Sequence, residues 1–445
     1  MRRIAVIGGG IGGLAAALRL RDLSNERRAP VAITLYEPRE RLGGCIQTWR
    51  EEGLVLEAGA DSLLAEKPAA MRLLERLGLT NDLVPIRPEY RGARILRGGK
   101  LRPLPEGFRF FSPRSTAAII RSGLFSPAGM ARAALEPLIP ARKSREDESL
   151  ASFVRRRFGR EVLDRLAQPL LAGIYSADPK RLSMDAALPQ FVHMERAYGS
   201  VMRGLNAENA GAPPRLMSLR GGLSRLVEAI ERELNGIERI REPVSDGGGL
   251  RLLYDGVVCA VPAYAAAKIV AAEQPQLAQL LERIRYNSIA TVTLLYRASG
   301  LPPLPPAQGF IVPFAEKRRI VAATIVGQKY ADRVPEGIVA LRAFIGGGLQ
   351  PELACLPDHE LADIARSEFK TLLGITAAPA RTYAAHMERV LPEYGVGHVA
   401  LVDEIERLCS ASGFFALAGA AYRGVGIPDC IASGEVAAER LLGTM

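Results

Sequence analysis

Three glycines near the start of the chain, Gly8, Gly10 and Gly13, restrict its possible folds more than any other feature. They lie between a short apolar run at residues 3–8, read as a buried parallel strand, and a helical pattern at residues 12–23. Gly8 permits a tight turn, Gly10 lets the backbone approach a pyrophosphate, and Gly13 lets the helix pack closely on the strand. The pattern predicts a dinucleotide-binding β-α-β unit, the alternative being a glycine turn with a purely structural role.

The second strand of this unit is predicted at residues 31–36, and Glu37 follows it directly. An acid at that position can accept hydrogen bonds from the ribose hydroxyls of an adenosine. The other residues of the turn, Gly9, Ile11 and Gly12, are predicted to bind the cofactor too, because its phosphates would lie at the positive end of the helix.

The residues that follow Glu37 favour FAD over NAD. Arg41 can reach the phosphates, and the pair Gly43 and Gly44 admits the rest of a long cofactor beneath the backbone. A glycine-rich turn at residues 419–428 precedes the predicted last helix, whose N-terminus could stabilise negative charge on a reduced flavin. Taken alone, the segment with Arg41, Gly43 and Gly44 also fits a surface turn. The turn at residues 419–428 also fits a plain strand-to-helix loop.

Composition excludes several classes of protein. Of 445 residues, 48% are hydrophobic and 24% are charged, which is the balance of a globular protein of two or three domains. Five cysteines without C-x-x-C spacing argue against a disulfide scaffold or a structural zinc site and favour a reducing compartment. Four scattered histidines predict no metal centre. No apolar run reaches the roughly 18 residues of a spanning helix, so we expect a cytoplasmic protein with at most peripheral membrane contact.

The net charge of +10 is concentrated in residues 87–145, which hold thirteen basic and three acidic residues. Basic residues mixed with large apolar ones predict an amphipathic surface for an anionic membrane or an acidic small molecule; nucleic acid is disfavoured because no binding module is present. Prolines should keep the helices of this basic segment short. Those helices could present five apolar residues to a membrane or to a pocket mouth: Phe108, Phe110, Phe111, Leu124 and Phe125. A solvated basic face is the simpler alternative.

The glycine turns resemble those of the amine oxidase-type flavoproteins, and four further blocks resemble the porphyrinogen oxidases of late haem biosynthesis within that superfamily. The blocks are residues 57–62 (EAGADS), 173–179 (GIYSADP), 391–398 (LPEYGVGH) and 424–431 (GVGIPDCI). Ala60 departs from a usual proline, and Ala177 departs from a usual glycine. The blocks follow the order of the family along the whole chain.

The resemblance implies an α/β fold in which a Rossmann-type FAD-binding domain is interleaved with an α+β substrate-binding domain and a mainly helical, membrane-associated insertion. The implied divisions are residues 1–66, 221–270 and 391–445 for FAD binding, 67–220 for the insertion, and 271–390 for the substrate-binding sheet.

The implied activity is the FAD-dependent, oxygen-using oxidation of protoporphyrinogen IX to protoporphyrin IX, a loss of six electrons in three two-electron steps. The alternatives are oxidation of coproporphyrinogen III or another flavin amine oxidase-type activity on polyamines or carotenoids. A carrier protein that has lost its flavin is the non-enzymatic rival, which the intact glycine turn and Glu37 disfavour. No cysteine is placed for a covalent link, so the FAD is expected to be non-covalent.

The resemblance also implies site residues. Lys67 would bind a propionate of the substrate, Gly173 would lie against the flat macrocycle, and no catalytic side chain beyond FAD is expected. His398 is expected to be structural. The other implied cofactor-binding residues are Gly59, Ala60, Asp61, Ser62, Val244, Val425, Gly426 and Ile427. The simpler interpretation is an exposed lysine for Lys67, a turn glycine for Gly173 and a strand valine for Val244.

Overall fold

The computed structural model describes residues 1–90, 92–208 and 215–443. Arg91 of the basic segment, six residues of the predicted insertion and the last two residues therefore lie outside the described residues.

One sheet is parallel throughout and is assembled from the beginning, the middle and the end of the chain. In spatial order its five strands are Glu238–Ile240, Val31–Tyr36, Arg2–Ile7, Gly256–Cys259 and Phe415–Leu417. Side chains of the central strand alternate between two apolar cores, with Ile4 and Val6 on one face and Ala5 and Ile7 on the other. Helices therefore cover both faces of this sheet, as parallel sheets require.

The first helix, Ile11–Glu26, and the last helix, Ile427–Leu442, pack together on one face of the parallel sheet. Their backbones approach so closely that a Cβ atom on Gly434 would lie 2.1 Å from the carbonyl oxygen of Gly12. This approach brings the N-terminal turns of both helices to the same region of the molecule.

The second large sheet has seven strands and is antiparallel except for one pair. In spatial order the strands are Arg381–Pro392, Tyr286–Arg297, Ile338–Gly346, Ala322–Ile325, Gly309–Ile311, Arg94–Arg97 and Lys100–Pro103. Helix Asp358–Leu373 packs on it through Leu361, Ile364 and Phe369. The α/β prediction is thus confirmed, with mixed sheets.

Three smaller sheets complete the strands: Leu63–Leu64 with Leu216–Leu219 and Leu83–Pro85, the hairpin Thr48–Glu51 with Leu54–Glu57, and the hairpin Phe108–Arg109 with Ser112–Pro113. The other α-helices around the sheets are Pro68–Arg76, Ser224–Glu233, Leu250–Leu253, Ala263–Val270, Pro275–Glu282, Val326–Lys329 and His398–Ser412. Short 3-10 turns occur at Thr80–Asp82, Pro88–Tyr90, Glu136–Leu138, Phe314–Glu316 and Pro351–Cys355.

A layer of short helices packs around an apolar core of its own, which also includes Ile95 of the seven-stranded sheet. Its helices are Thr116–Arg121, Pro127–Ala134, Leu150–Arg157, Arg160–Val162, Gln168–Tyr175, Met184–Ala187, Pro189–Tyr198 and Val201–Ala207. A π-helical segment, Leu163–Ala167, joins two of them, and the N–H of Gln168 donates to the carbonyl oxygen of Leu163, five residues earlier. Among the described residues no helix is both long and apolar enough to cross a bilayer.

The basic segment, residues 87–145, differs from the sequence-based expectation in two ways. After a short 3-10 turn it contributes two strands to the seven-stranded sheet and then a hairpin, and its α-helices begin only at Thr116. The apolar residues expected to face outward are mostly core: Phe111, Leu124 and Phe125 are buried, and Phe108 and Phe110 pack against the same cluster. That part of the prediction was wrong, because these residues lie in a hairpin and in a loop between helices, and their side chains pack inward: Phe108 contacts Phe125, and Phe111 contacts Phe158 and Phe191.

Candidate functional site

The glycine turn after the first strand is shaped by two close backbone contacts. Gly8 has φ +108°, and a Cβ there would lie 2.6 Å from the carbonyl oxygen of Ala260. A Cβ on Gly13 would lie only 1.9 Å from the carbonyl oxygen of Gly8. Neither position can carry a side chain without moving the backbone, so both glycines hold the helix against the strand.

Gly10 differs, because a Cβ there would meet no atom within 4 Å. It caps the N-terminus of the first helix with an extended backbone and no side-chain hydrogen bond. The turn therefore presents bare backbone and free helical N–H groups to an open space. This is the arrangement that accepts a pyrophosphate, and it fits a dinucleotide cofactor.

A second glycine turn lies against the first. The Gly43 N–H donates to the carbonyl oxygen of Gly9 at 2.8 Å, and a Cβ on Gly44 would lie 3.2 Å from the Cα of Gly10. Arg41 precedes this turn and donates to the carbonyl oxygen of Ile46 at 3.2 Å. Burial and neighbouring positive charge lower the pKa of Arg41, and no described carboxylate lies within 4 Å of its guanidinium. The side chain is available for an anion such as a phosphate.

Glu37 is buried at the end of the second strand. Its carboxylate accepts the Gly9 N–H at 2.9 Å and two N–H groups of Arg39 at 3.1 Å. Burial raises the pKa of Glu37, but the hydrogen bonds from Arg39 outweigh it and the pKa lies below its ordinary value. The ionised carboxylate keeps lone pairs for a ribose hydroxyl.

The turn that leads into the last helix is fixed by Asp429. Gly426 caps the helix, and its N–H donates to the Asp429 carboxylate at 3.1 Å. The same carboxylate folds over Gly424, where a Cβ would lie 2.3 Å from the Asp429 Cγ. Val425 is half-buried against the helical layer and Ile427 is buried. A second helix N-terminus is thus held next to the first.

Residues 57–62 run between the glycine turns and the seven-stranded sheet. A Cβ on Gly59 would lie 2.4 Å from the carbonyl oxygen of Cys45, and Ala60 is exposed. Asp61 pairs with Lys329 and Arg342, both at 2.7 Å, and Ser62 donates to it at 2.6 Å.

Burial raises the pKa of Asp61, but the charges of Lys329 and Arg342 outweigh it and hold that pKa well below its ordinary value. Sequence reasoning missed both cations, since nothing near either residue in the sequence forms a motif.

Lys67 forms an ion pair that was not expected. Its ammonium lies 2.6 and 2.7 Å from the two carboxylate oxygens of Asp429. Two of its N–H groups are therefore engaged and one is left. Contact with a substrate carboxylate stays a prediction for Lys67.

The block that contains Gly173 meets the block that contains Tyr394. The rings of Tyr175 and Tyr394 are 5.8 Å apart, and Tyr394 stacks on His398 at 4.0 Å. The Tyr394 hydroxyl donates to the carbonyl oxygen of Ala420, which lies in the C-terminal glycine-rich turn. Burial, helped by the Asp429 carboxylate, raises the pKa of Tyr175 to about 12.

Three other residues singled out in the sequence, Gly173, Val244 and His398, have few polar contacts. A Cβ on Gly173 would meet nothing within 4 Å, so the space beside this helical glycine is open. Val244 is half-buried against the apolar core on the other face of the parallel sheet. His398 is buried, with Nε2 3.1 Å from the carbonyl oxygen of Tyr422, as expected of a structural histidine.

The fold and the two glycine turns define a flavoprotein. The model of the flavin-containing amine oxidoreductase family matches residues 11–442, and the chain belongs to this family. The predicted cofactor, FAD, is confirmed by this membership, and the open turn beside Gly10 fits its pyrophosphate.

More specific similarities cover the whole chain. It is 32% identical to the coproporphyrinogen III oxidase of Bacillus subtilis, over 98% of this chain and 97% of the relative. It is 29% identical to the protoporphyrinogen oxidase of Bos taurus, over 100% and 99%. A solved structure from Exiguobacterium sp. 255-15, assigned as a protoporphyrinogen oxidase, matches with TM-score 0.86 and 30% identity over 100% and 99%. The resemblance to the porphyrinogen oxidases is confirmed.

Proposed function

We propose that the chain is an FAD-dependent porphyrinogen oxidase of haem biosynthesis. The observation that carries this proposal is its full-length similarity to enzymes named for that activity, combined with a cradle shaped for a dinucleotide. We propose oxygen as the electron acceptor and a non-covalent FAD.

The chain's own residues bind and orient the cofactor. The turn at Gly10 and the N-terminus of the first helix hold the pyrophosphate, Arg41 adds positive charge, and Glu37 accepts the ribose hydroxyls. The remaining contacts are assigned to Gly8, Gly9, Ile11, Gly12, Gly13, Gly43, Gly44, Gly59, Ala60, Asp61, Ser62, Val244, Val425, Gly426 and Ile427. When bound, FAD supplies the two-electron oxidation, so the protein needs no nucleophile of its own.

The substrate is proposed to enter between the helical layer and the seven-stranded sheet. The open space beside Gly173 leaves room for a flat macrocycle, and Tyr175 adds an aromatic wall nearby. The free N–H of Lys67 is proposed to bind one propionate.

Coproporphyrinogen III is the substrate we favour, with protoporphyrinogen IX second. Relatives named coproporphyrinogen III oxidase are 28% to 32% identical to the chain, and relatives named protoporphyrinogen oxidase are 27% to 29% identical, with the Exiguobacterium structure at 30%. The four propionates of coproporphyrinogen III also suit the basic balance of the chain, +10.

The test is turnover of the two porphyrinogens side by side, followed by porphyrin fluorescence. We expect higher kcat/KM with coproporphyrinogen III. Faster turnover of protoporphyrinogen IX would reverse the order, and no turnover of either would refute the function. A protein that purifies without yellow flavin would refute the cofactor placement as well.

The division of the chain into domains, its location in the cell and its contact with a membrane are also proposals. Residues 1–66, 221–270 and 391–445 are assigned to FAD binding, 67–220 to the helical insertion and 271–390 to the substrate-binding sheet. A cytoplasmic location with peripheral contact to an anionic membrane is proposed for the helical insertion. Its exposed apolar residues, Ile120, Leu135 and Leu138, support that contact.

A further inference from the structure

A buried cluster of charged side chains lies where residues 57–62 meet the seven-stranded sheet. Asp61 pairs with Lys329 and Arg342 at 2.7 Å each. Glu57 pairs with Arg333 at 3.3 Å in the same region. Three cations therefore face two carboxylates, which leaves one positive charge in excess.

This excess charge is largely shielded from water. The side chain of Lys329 is 12% exposed, that of Arg342 4% and that of Asp61 16%. The Nε atom of Arg342 is buried without any hydrogen-bond partner among the described residues. A buried charge without full compensation is costly, and its field extends further than that of a solvated charge.

The cluster is tied directly to the backbone that precedes Asp61. Arg342 donates to the carbonyl oxygens of Glu57 and Gly59, at 2.7 and 3.1 Å. Gly59 in turn packs on the carbonyl of Cys45, directly after the second glycine turn. The positive field is therefore fixed next to the stretch that the proposed function assigns to the flavin.

We propose that Lys329 and Arg342, held by Asp61, stabilise the negative charge that the flavin ring carries after two-electron reduction. The inference rests on the proposed placement of FAD beside Gly59 and Ala60. Hydride transfer adds two electrons and one proton to the ring, so a fixed positive field favours the product of that transfer. Lys329, Arg342 and Asp61 are assigned as positioning residues, because the proposed effect is carried by their charges and by the backbone that Arg342 holds.

The test is a sulfite titration of the purified holoenzyme. Sulfite adds to an oxidised flavin ring and leaves negative charge on it, so its affinity reports the local field without any porphyrinogen. We expect Lys329→Met to weaken sulfite binding by about tenfold and to shift the flavin midpoint potential to more negative values. Asp61→Asn removes a negative charge. It should therefore strengthen sulfite binding and shift the flavin midpoint potential to more positive values.

Two further variants separate charge from structure. Lys329→Arg keeps the charge and should stay within about twofold of the wild type in sulfite affinity. Lys100→Met removes an exposed lysine from the edge strand of the same sheet and should change nothing. If Asp61→Asn does not fold, the pair Lys329→Met and Lys329→Arg decides alone.

Equal sulfite affinities for Lys329→Met, Lys329→Arg and the wild type, with FAD fully bound, would overturn the inference. So would shifts of the same sign in Lys329→Met and Asp61→Asn. A charge-dependent sulfite response in a protein that oxidises neither porphyrinogen would refute the proposed function and leave this inference standing.

Discussion

At the scale of single residues, the glycines of the first turn have separable roles. Gly10→Val places a side chain in open space, where it should block the pyrophosphate without disturbing the fold. Its cost to the helix N-terminus should be about 1 kcal/mol or less. We expect a folded, colourless protein, measured by circular dichroism and by flavin absorbance. Full flavin occupancy in this variant would show that the pyrophosphate lies elsewhere.

Gly13→Val is the matched control for Gly10→Val. Its Cβ would collide with the carbonyl oxygen of Gly8, so the helix must move away from the strand. Overpacking of this kind costs about 1–3 kcal/mol or more. The control should lose stability as well as flavin, whereas Gly10→Val should lose only flavin.

Lys67 offers a second prediction at this scale, because two roles compete for its ammonium. A charge-assisted hydrogen bond to a propionate contributes roughly 1–3 kcal/mol, so its loss in Lys67→Ala should raise KM by about five- to 150-fold. Asp429→Asn should not raise KM, since it frees Lys67 for substrate. If Lys67 only pairs with Asp429, both variants will loosen FAD and leave KM unchanged.

Residue-level prediction extends as far as a local motif does, and it missed the pairings whose partners are distant in the sequence. Glu37 lies 28 residues from Gly9, within one β-α-β unit whose geometry a short motif defines. Lys329 lies 268 residues from Asp61, and Lys67 lies 362 residues from Asp429. Such pairings depend on how separate layers dock, and no local pattern encodes them.

At the scale of elements, the helical layer depends on one fully buried ion pair. Arg157 and Glu136 are both 0% exposed, and Arg157 Nε lies 2.7 Å from the Glu136 carboxylate. Glu136 also accepts the N–H groups of Val201 and Met202, so it caps the helix that begins there. Arg157→Met would leave a buried, unpaired carboxylate at the centre of this layer.

We expect Arg157→Met to lower the free energy of unfolding by about 3–5 kcal/mol. The double variant Glu136→Gln with Arg157→Met should recover part of that loss, because the unpaired charge is gone. Urea denaturation of the three proteins measures both effects. A double variant less stable than Arg157→Met would contradict the argument.

The helix His398–Ser412 gives a pH dependence. Burial lowers the pKa of His398, so the folded state resists protonation while the unfolded chain takes up a proton near its ordinary pKa of about 6.5. This histidine should therefore cost stability as pH falls below about 6.5. Denaturation midpoints from pH 7.5 to 5.5 should fall less in His398→Gln than in the wild type. His193→Gln, at an exposed histidine, should behave as the wild type.

The helix that follows the glycine-rich turn was predictable, and the partners that strands take in the seven-stranded sheet were not. The last helix was predicted to follow the glycine-rich turn at residues 419–428, and it is observed at Ile427–Leu442 with Gly426 as its N-terminal cap. The strands Arg94–Arg97 and Lys100–Pro103 were not foreseen. They pair with each other in a hairpin around Gly98 and Gly99. Their place in the seven-stranded sheet depends on Phe310 and Ile311, more than 200 residues later, which pair with Arg94 and Ile95.

At the scale of the whole molecule, two large sheets are joined through residues 57–62. The parallel sheet takes strands from both ends of the chain, which the glycine turns at both ends indicated. The docking of the seven-stranded sheet could not be predicted, since it depends on Arg342 reaching the carbonyls of Glu57 and Gly59. The β-α-β unit with its glycine turn was therefore predictable, and the packing of the second sheet against it was not.

The helical layer presents three apolar side chains to the outside: Ile120 is 62% exposed, Leu135 50% and Leu138 74%. They lie within the basic segment that carries the net charge of the chain. Exposed apolar groups beside lysines and arginines can enter an anionic lipid surface, where each cation contributes on the order of 1 kcal/mol.

We expect the protein to pellet with anionic vesicles at low salt and to be released at high salt, because screening weakens surface attraction. Replacing the three apolar residues together by serine should abolish pelleting without lowering porphyrinogen turnover in detergent. Leu252→Ser, at an 82% exposed leucine outside the helical layer, is the control and should pellet as the wild type does. Absence of pelleting at low salt would refute membrane contact. In that case the basic segment would serve only to attract the carboxylates of the substrate. High salt should then raise KM for coproporphyrinogen III, with four carboxylates, more than for protoporphyrinogen IX, with two.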